Sequence, residues 1–220
     1  MRTLHDRHLY GIIDLGYVPR LRDCNRIAQQ MIKGGVDVIQ LRGKGKSMDE
    51  LSDVAAALHK ITSRCSIPLI VNDHAEVARK VGVDGVHVGQ DDDSIEVARS
   101  KAGRPVLVGK STHSLEQARA AQCEGADYIG FGPIFATPTK PDYPPIGLSN
   151  IKNVHGDISL PIFCIGGIKL DNLKDVIAAG AQRIAIVSGL LRAPDIIEYA
   201  RTCKRLLLEI KHQTPYIEHS

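Results

Sequence analysis

The chain has 220 residues, 43% hydrophobic and 24% charged, and its Lys+Arg 28 against Asp+Glu 25 give a formal net charge of +3. That balance, the lack of a long basic run and an aromatic content of only 4% exclude a nucleic-acid binder built on charge and base stacking. The apolar runs are too short to cross a bilayer, and Met1–His8 lack the apolar centre of a signal peptide. A cytoplasmic protein with no nucleic-acid and no membrane partner is therefore expected. The five cysteines, Cys24, Cys65, Cys123, Cys164 and Cys203, show no CxxC spacing. They read as reduced thiols, buried or half-buried, rather than a zinc site or a redox pair.

Strand-like and helix-like runs alternate from end to end. His8–Ile13 is the first apolar run, and a helical pattern from Leu21 to Lys33 closes at Gly34-Gly35. Val36–Leu41 reads as the second strand. Ser47 with Glu50 three residues on marks a capping box, and that helix runs to about Ser63. Ile67–Asn72, Gly85–Val88 and Pro105–Gly109 read as the third to fifth strands, with helices Ala75–Lys80, Ser94–Ser100 and one opening at Ser114 after them. The sixth strand starts at Ala126 and leads into Gly130–Lys140. A helix at Ser149–Val154, a strand at Pro161–Ile165, a helix at Leu170–Ala179, a strand at Arg183–Val187 and a final helix at Ala193–Ile210 complete the chain. The phrase before several strands repeats: Gly35-Val36-Asp37, Gly82-Val83-Asp84, Gly125-Ala126-Asp127 and Gly180-Ala181-Gln182. Glycine there suits a left-handed helix cap.

Eight strands rich in Val and Ile, each followed by a helix, predict a parallel sheet buried on both faces. Eight units in this length point to a closed (β/α)8 TIM barrel, with an open doubly wound sheet as the structural rival. No linker is visible, so residues 1–220 read as one domain, with a polar tail over 212–220 expected to fray.

In such a barrel the site is built at the C-terminal ends of the strands. Those ends carry Arg42 and Lys44 after strand two, Asn72 and Asp73 after strand three, and Asp92 after strand four. Ser111 follows strand five; Thr137, Pro138, Thr139 and Lys140 follow strand six. Gly166-Gly167 and Val187-Ser188 follow strands seven and eight. Taken singly, Arg-x-Lys is usually a solvated face, and Asn-Asp or Gly-Gly is usually a turn. Together, cations beside carboxylates suit a polyphosphate bound with Mg2+. Bare amides after strands seven and eight suit a monophosphate. Two phosphate sites imply two phosphorylated small-molecule substrates, or one with phosphates at both ends. His87 reads as a hydrogen-bonded structural histidine, and no nucleophile is proposed at Cys164.

The set Gln40-Leu41-Arg42-x-Lys44, Val71-Asn72-Asp73, Gly85–Gln90 with Asp92, Ser111-x-His113, Gly130–Lys140, Ile165–Ile168 and Val187-Ser188 resembles thiamine phosphate synthase over residues 8 to 190. The resemblance implies a transferase of thiamine biosynthesis. It would join 4-amino-2-methyl-5-hydroxymethylpyrimidine diphosphate to hydroxyethylthiazole phosphate, or its carboxylated form, with loss of pyrophosphate. It also implies roles. Gln40, Leu41, Arg42, Gly43, Lys44 and Asn72 would hold the pyrimidine diphosphate, and Asp73 and Asp92 would bind Mg2+. Ser111 and Lys140 would complete the diphosphate site, with Arg42 and Lys44 stabilising its departure. Thr137, Pro138, Thr139, Gly167, Val187 and Ser188 would take the thiazole phosphate. His74 stands where the family usually has Arg, and Ile13-Asp14 replaces the usual Thr-Asp. The alternatives are the related thiazole tautomerase, against which Pro133 and the intact Thr137-x-Thr139-Lys140 stand, and a non-catalytic phosphate sensor. The sequence leaves a homo-oligomeric state open.

Overall fold

Helices and strands follow one another as the hydrophobic pattern dictates. The computed structural model describes residues 3–137 and 143–209. Its elements are β1 (Leu9–Asp14), α1 (Asp23–Lys33), β2 (Val38–Arg42), α2 (Met48–Arg64), β3 (Leu69–Asn72), α3 (Ala75–Val81), β4 (Gly85–Val88) and α4 (Ile95–Ala102). Then come β5 (Leu107–Thr112), α5 (Leu115–Cys123), β6 (Tyr128–Phe131), α6 (Ile151–Asp157), β7 (Ile162–Cys164), α7 (Leu170–Ala178), β8 (Ile184–Ile186), α8 (Ser188–Leu191) and α9 (Ile196–Glu209). Each strand pairs in parallel with the next, and β8 pairs with β1, so the sheet closes into an eight-stranded barrel. The open sheet is excluded.

Local chemistry explains the boundaries. Ser47 Oγ accepts from the Glu50 amide at 3.2 Å while Glu50 Oε2 accepts from the Ser47 amide at 3.1 Å, the expected capping box. β2 begins at Val38 rather than Val36, because the Val36 N–H donates to Met31 O and so still closes α1. β5 runs on to Thr112, because Ser111 and Thr112 pair with Gly130 and Phe131 of β6. The final helix is not one run from Ala193. The separate turn α8 comes first, and α9 starts at Ile196. Ile210 and the tail 212–220 lie outside the described residues. Three cysteines are buried, but Cys65 and Cys123 are exposed, because both sit at helix C-terminal ends on the surface.

The repeated Gly-x-Asp phrase has a physical reason. Asp37 Oδ2 accepts from the Leu9 amide at 2.9 Å, Asp84 Oδ2 from Leu69 at 2.9 Å, and Asp127 Oδ2 from Val108 at 2.7 Å. Each aspartate thus caps an amide at the start of the strand before its own. Lys204 and Arg99 neutralise Asp37 and Asp127. The N-terminal rim therefore spends its charges on backbone.

Two apolar cores result. One lies between strands and helices and takes the outward strand residues, Leu41, Val71, Val108 and Ile129 among them. The other fills the barrel, with Leu4, Tyr10, Ile12, Val38, Ile70, Leu107, Tyr128, Phe163 and Ala185. Phe163 meets Tyr10 and Tyr128 edge-on, at centroid distances of 5.1 Å and 5.9 Å. Gly109 makes the room: a Cβ there would stand 2.1 Å from Tyr128 Cζ. This aromatic plug is the floor on which the site rests.

Candidate active site

Above the plug, the C-terminal mouth of the barrel holds a cavity of about 940 Å³ counting its open entrance. Strand alternation decides what faces it. Gln40 and Arg42 point in from β2, Asn72 from β3, His87 from β4 and Ser111 from β5. Across the floor stand Gly130, Gly132, Pro133, Thr137, Ile165, Gly166, Gly167, Val187 and Ser188. The cavity therefore joins Gln40, Arg42, Asn72, Ser111, Thr137, Gly167, Val187 and Ser188, all expected from sequence.

Other expected residues stand elsewhere. Leu41 has a fully buried side chain in the outer core, since alternation turns it away from its neighbours Gln40 and Arg42. Only its backbone can reach a ligand. Gly43 is buried beneath Leu51 and Leu15, and a Cβ there would lie 2.6 Å from Leu51. Lys44 is exposed on the turn beyond β2. Pro138, Thr139 and Lys140 lie outside the described residues.

Asp73 and Asp92 line a neighbouring shallow depression with His74, Glu76, Asp91 and Asp93. Asn72 lines the cavity and Asp73 the depression, so the two meet at that peptide. The Gly89 N–H donates to Asp92 Oδ2 at 2.7 Å and fixes the loop after β4. Among the described residues no cluster of three or more His, Cys, Asp or Glu is set to enclose a metal. Mg2+ does not need such a cage; it takes one or two carboxylates and completes its shell with phosphate and water oxygens. Two carboxylates at adjacent strand ends, Asp73 and Asp92, fit that donor set.

The opposite wall is built differently. Gly166 and Gly167 both hold left-handed backbone, at φ of 96° and 64°. A side chain at Gly166 would meet Pro133 Cα at 2.4 Å. Among the described residues the Gly166 and Gly167 N–H groups have no acceptor. Ser188 opens α8, whose first amides lack intrahelical partners. Successive unpartnered amides of this kind bind anions.

Asp14 and Gln90 escaped the sequence reading, while His87 and His113 make contacts it did not specify. Asp14, with its side chain 5% exposed, pairs with Arg42 at 2.5 Å and orients the guanidinium; its signal was the register that sets it opposite Arg42. His87 is hydrogen-bonded, as expected, but it also lines the cavity, with Nε2 at 3.0 Å from Ser111 Oγ. Gln90 Nε2 donates to Ser111 O at 2.5 Å, tying the β4 loop to β5. His113 contacts Gly132 O through Nδ1 and stacks on Tyr143 at 4.7 Å. Tyr143 in turn donates to Asp91 at 3.0 Å. Burial raises the Tyr10 and Tyr128 hydroxyl pKa values, so both stay protonated. Burial likewise pushes the Cys164 thiol up to about 12, which leaves it unreactive.

Comparison with known proteins identifies the family. The family model described as thiamine monophosphate synthase matches residues 9–190. The chain belongs to that family. It is 43% identical over 203 residues to the thiamine-phosphate synthase of Chloroflexus aurantiacus, covering 92% of this chain and 93% of that one. It is 43% identical over 194 residues to the one from Halalkalibacterium halodurans, covering 88% and 92%. A solved thiamine phosphate pyrophosphorylase from Pyrococcus furiosus superposes with a TM-score of 0.83 at 31% identity, covering 92% of this chain and 96% of that one. Like other members of the family, the chain is a transferase. Among the described residues no helix is long and apolar enough to cross a membrane.

Proposed function

We propose that this chain joins 4-amino-2-methyl-5-hydroxymethylpyrimidine diphosphate to hydroxyethylthiazole phosphate, releasing thiamine phosphate and pyrophosphate, or to its carboxylated form, whose carboxyl group then also leaves as CO2. One observation carries the reading. A single cavity faces a ligand with charged and polar side chains on one wall and, on the other, the Gly166 and Gly167 amides, which have no acceptor among the described residues, across an aromatic floor. Two phosphorylated rings, one bearing a diphosphate, match that division.

The chemistry needs no protein nucleophile. The bond from the pyrimidine methylene to the diphosphate oxygen breaks, and its electron pair leaves with the oxygen. The thiazole nitrogen then gives its lone pair to the pyrimidinylmethyl cation. Arg42, braced by Asp14, gathers charge on the leaving group together with Lys44, Lys140 and the Ser111 hydroxyl. Gln40 and Asn72 orient the pyrimidine, and Thr137, Pro138, Thr139, Gly167, Val187 and Ser188 hold the thiazole phosphate, so that the two rings meet in line. Mg2+, held by Asp73 and Asp92, would neutralise diphosphate oxygens.

The test incubates the pure protein with both substrates, with and without Mg2+, and reads thiamine phosphate by its fluorescence after oxidation. Product that requires both substrates and Mg2+ is expected. Isomerisation of a thiazole phosphate alone, with no coupled product, would replace this reading with the tautomerase.

A further inference from the structure

A line of polar groups crosses the barrel at the level of the floor. Gln40 Nε2 donates to the Tyr10 hydroxyl at 2.9 Å. The Tyr10 and Tyr128 hydroxyls stand 3.1 Å apart. The Tyr128 hydroxyl is 3.1 Å from His87 Nδ1, and His87 Nε2 is 3.0 Å from Ser111 Oγ. The line links β2, β1, β6, β4 and β5 without a break.

Each phenol has one proton to give, which fixes the direction. Tyr10 accepts from Gln40, so its own proton goes to Tyr128. Tyr128 accepts that proton and sends its own to His87 Nδ1. A neutral imidazole whose Nδ1 accepts carries its hydrogen on Nε2, and that N–H donates to Ser111 Oγ. The Ser111 proton is left for the cavity. Both phenols keep their protons, because burial raises their pKa values. Were the Gln40 amide turned round, every bond would reverse, and Ser111 would face the cavity with lone pairs. An anion opposite Ser111 opposes that arrangement.

We infer that this line is one directional chain, in which Tyr10, Tyr128 and His87 are positioning residues that turn the Ser111 proton toward the departing diphosphate. The inference rests on the proposed reaction only in naming the diphosphate as the ligand of Ser111. It explains why Gly109 is a glycine. A side chain there would displace the Tyr128 ring and cut the chain at its middle. It also gives two fully buried tyrosines a use beyond filling the barrel.

The test places 15N-labelled histidine in the protein, without substrate, and reads the His87 tautomer from long-range 15N–1H spectra. The wild-type protein is expected to show the Nε2–H form. Tyr128→Phe keeps the ring and deletes the donor. It should move His87 toward Nδ1–H and lower kcat about tenfold, the scale of one lost hydrogen bond, with KM for the thiazole phosphate within about twofold. Tyr10→Phe breaks the same chain one link earlier and serves if Tyr128→Phe does not fold. An Nδ1–H imidazole in the wild type overturns the direction. A change in tautomer or in kcat without the other overturns the positioning role. A protein that shows the tautomer and its loss, yet makes no thiamine phosphate, contradicts the proposed reaction and leaves the directional chain standing.

Discussion

The two walls of the cavity are built by unlike means. The β2–β5 wall works with side chains: Arg42 braced by a buried Asp14, Ser111 tied to His87, and Asp73 and Asp92 just outside. The β6–β8 wall works with backbone: two left-handed glycines and the start of α8. Side-chain charge is strong and can recruit a metal, which suits a group that leaves with extra charge. Amides hold a fixed charge at a fixed place and stay unchanged through the reaction. On the proposed reaction, that difference would separate the phosphate that departs from the phosphate that only anchors.

Breaking the side-chain wall should have the largest effect. Asp92→Ala is expected to abolish Mg2+-dependent turnover with an unchanged circular dichroism spectrum; wild-type rates would remove Asp92 from the metal site. Arg42→Ala should slow coupling by roughly 10²-fold, the scale of one preorganised charge contact, in single-turnover measurements. Near-normal rates would move the leaving group away from that side.

The backbone wall should fail in another parameter. Gly167 holds a φ of 64°, and a Cβ there would lie 2.7 Å from Phe135 Cβ. Gly167→Ala should raise KM for the thiazole phosphate about tenfold while leaving KM for the diphosphate within about twofold. Equal rises in both would merge the two walls into one site.

A smaller effect lies remote from both walls. Burial, helped by the nearby charge of Arg183, lowers the His155 pKa to about 4 from the ordinary 6.5. The folded form thus prefers the neutral ring, and as pH falls the unfolded chain takes up the proton first. The contribution is complete above about pH 6.5 and is lost as pH drops toward 4, on the order of 2 kcal/mol. The urea midpoint of the wild type should fall relative to that of His155→Leu as pH drops from 7 toward 4. A constant gap between them would contradict the assignment.

Much of this architecture could be read from the chain because it is local. The Ser47–Glu50 box, the Gly-x-Asp phrase and the strand ends each need only neighbouring residues. What escaped was set by parity and register. Strands buried on both faces carry no alternation of polarity, so nothing marked Leu41 as outward or Tyr10 and Tyr128 as inward. The Asp14–Arg42 pair joins residues 28 apart and becomes visible only once β1 and β2 are in register. The turn α8 spans 4 residues, too few for a helical period to show.

The central claim is that the departing diphosphate and the anchoring phosphate sit on opposite walls. Crystals grown with inorganic pyrophosphate and Mg2+ test it most directly. Pyrophosphate is expected against Arg42 and the Ser111 hydroxyl, with the ion between it and the carboxylates of Asp73 and Asp92. Pyrophosphate seated on Gly167 and Ser188 instead, with Asp73 and Asp92 turned to solvent, would contradict the account.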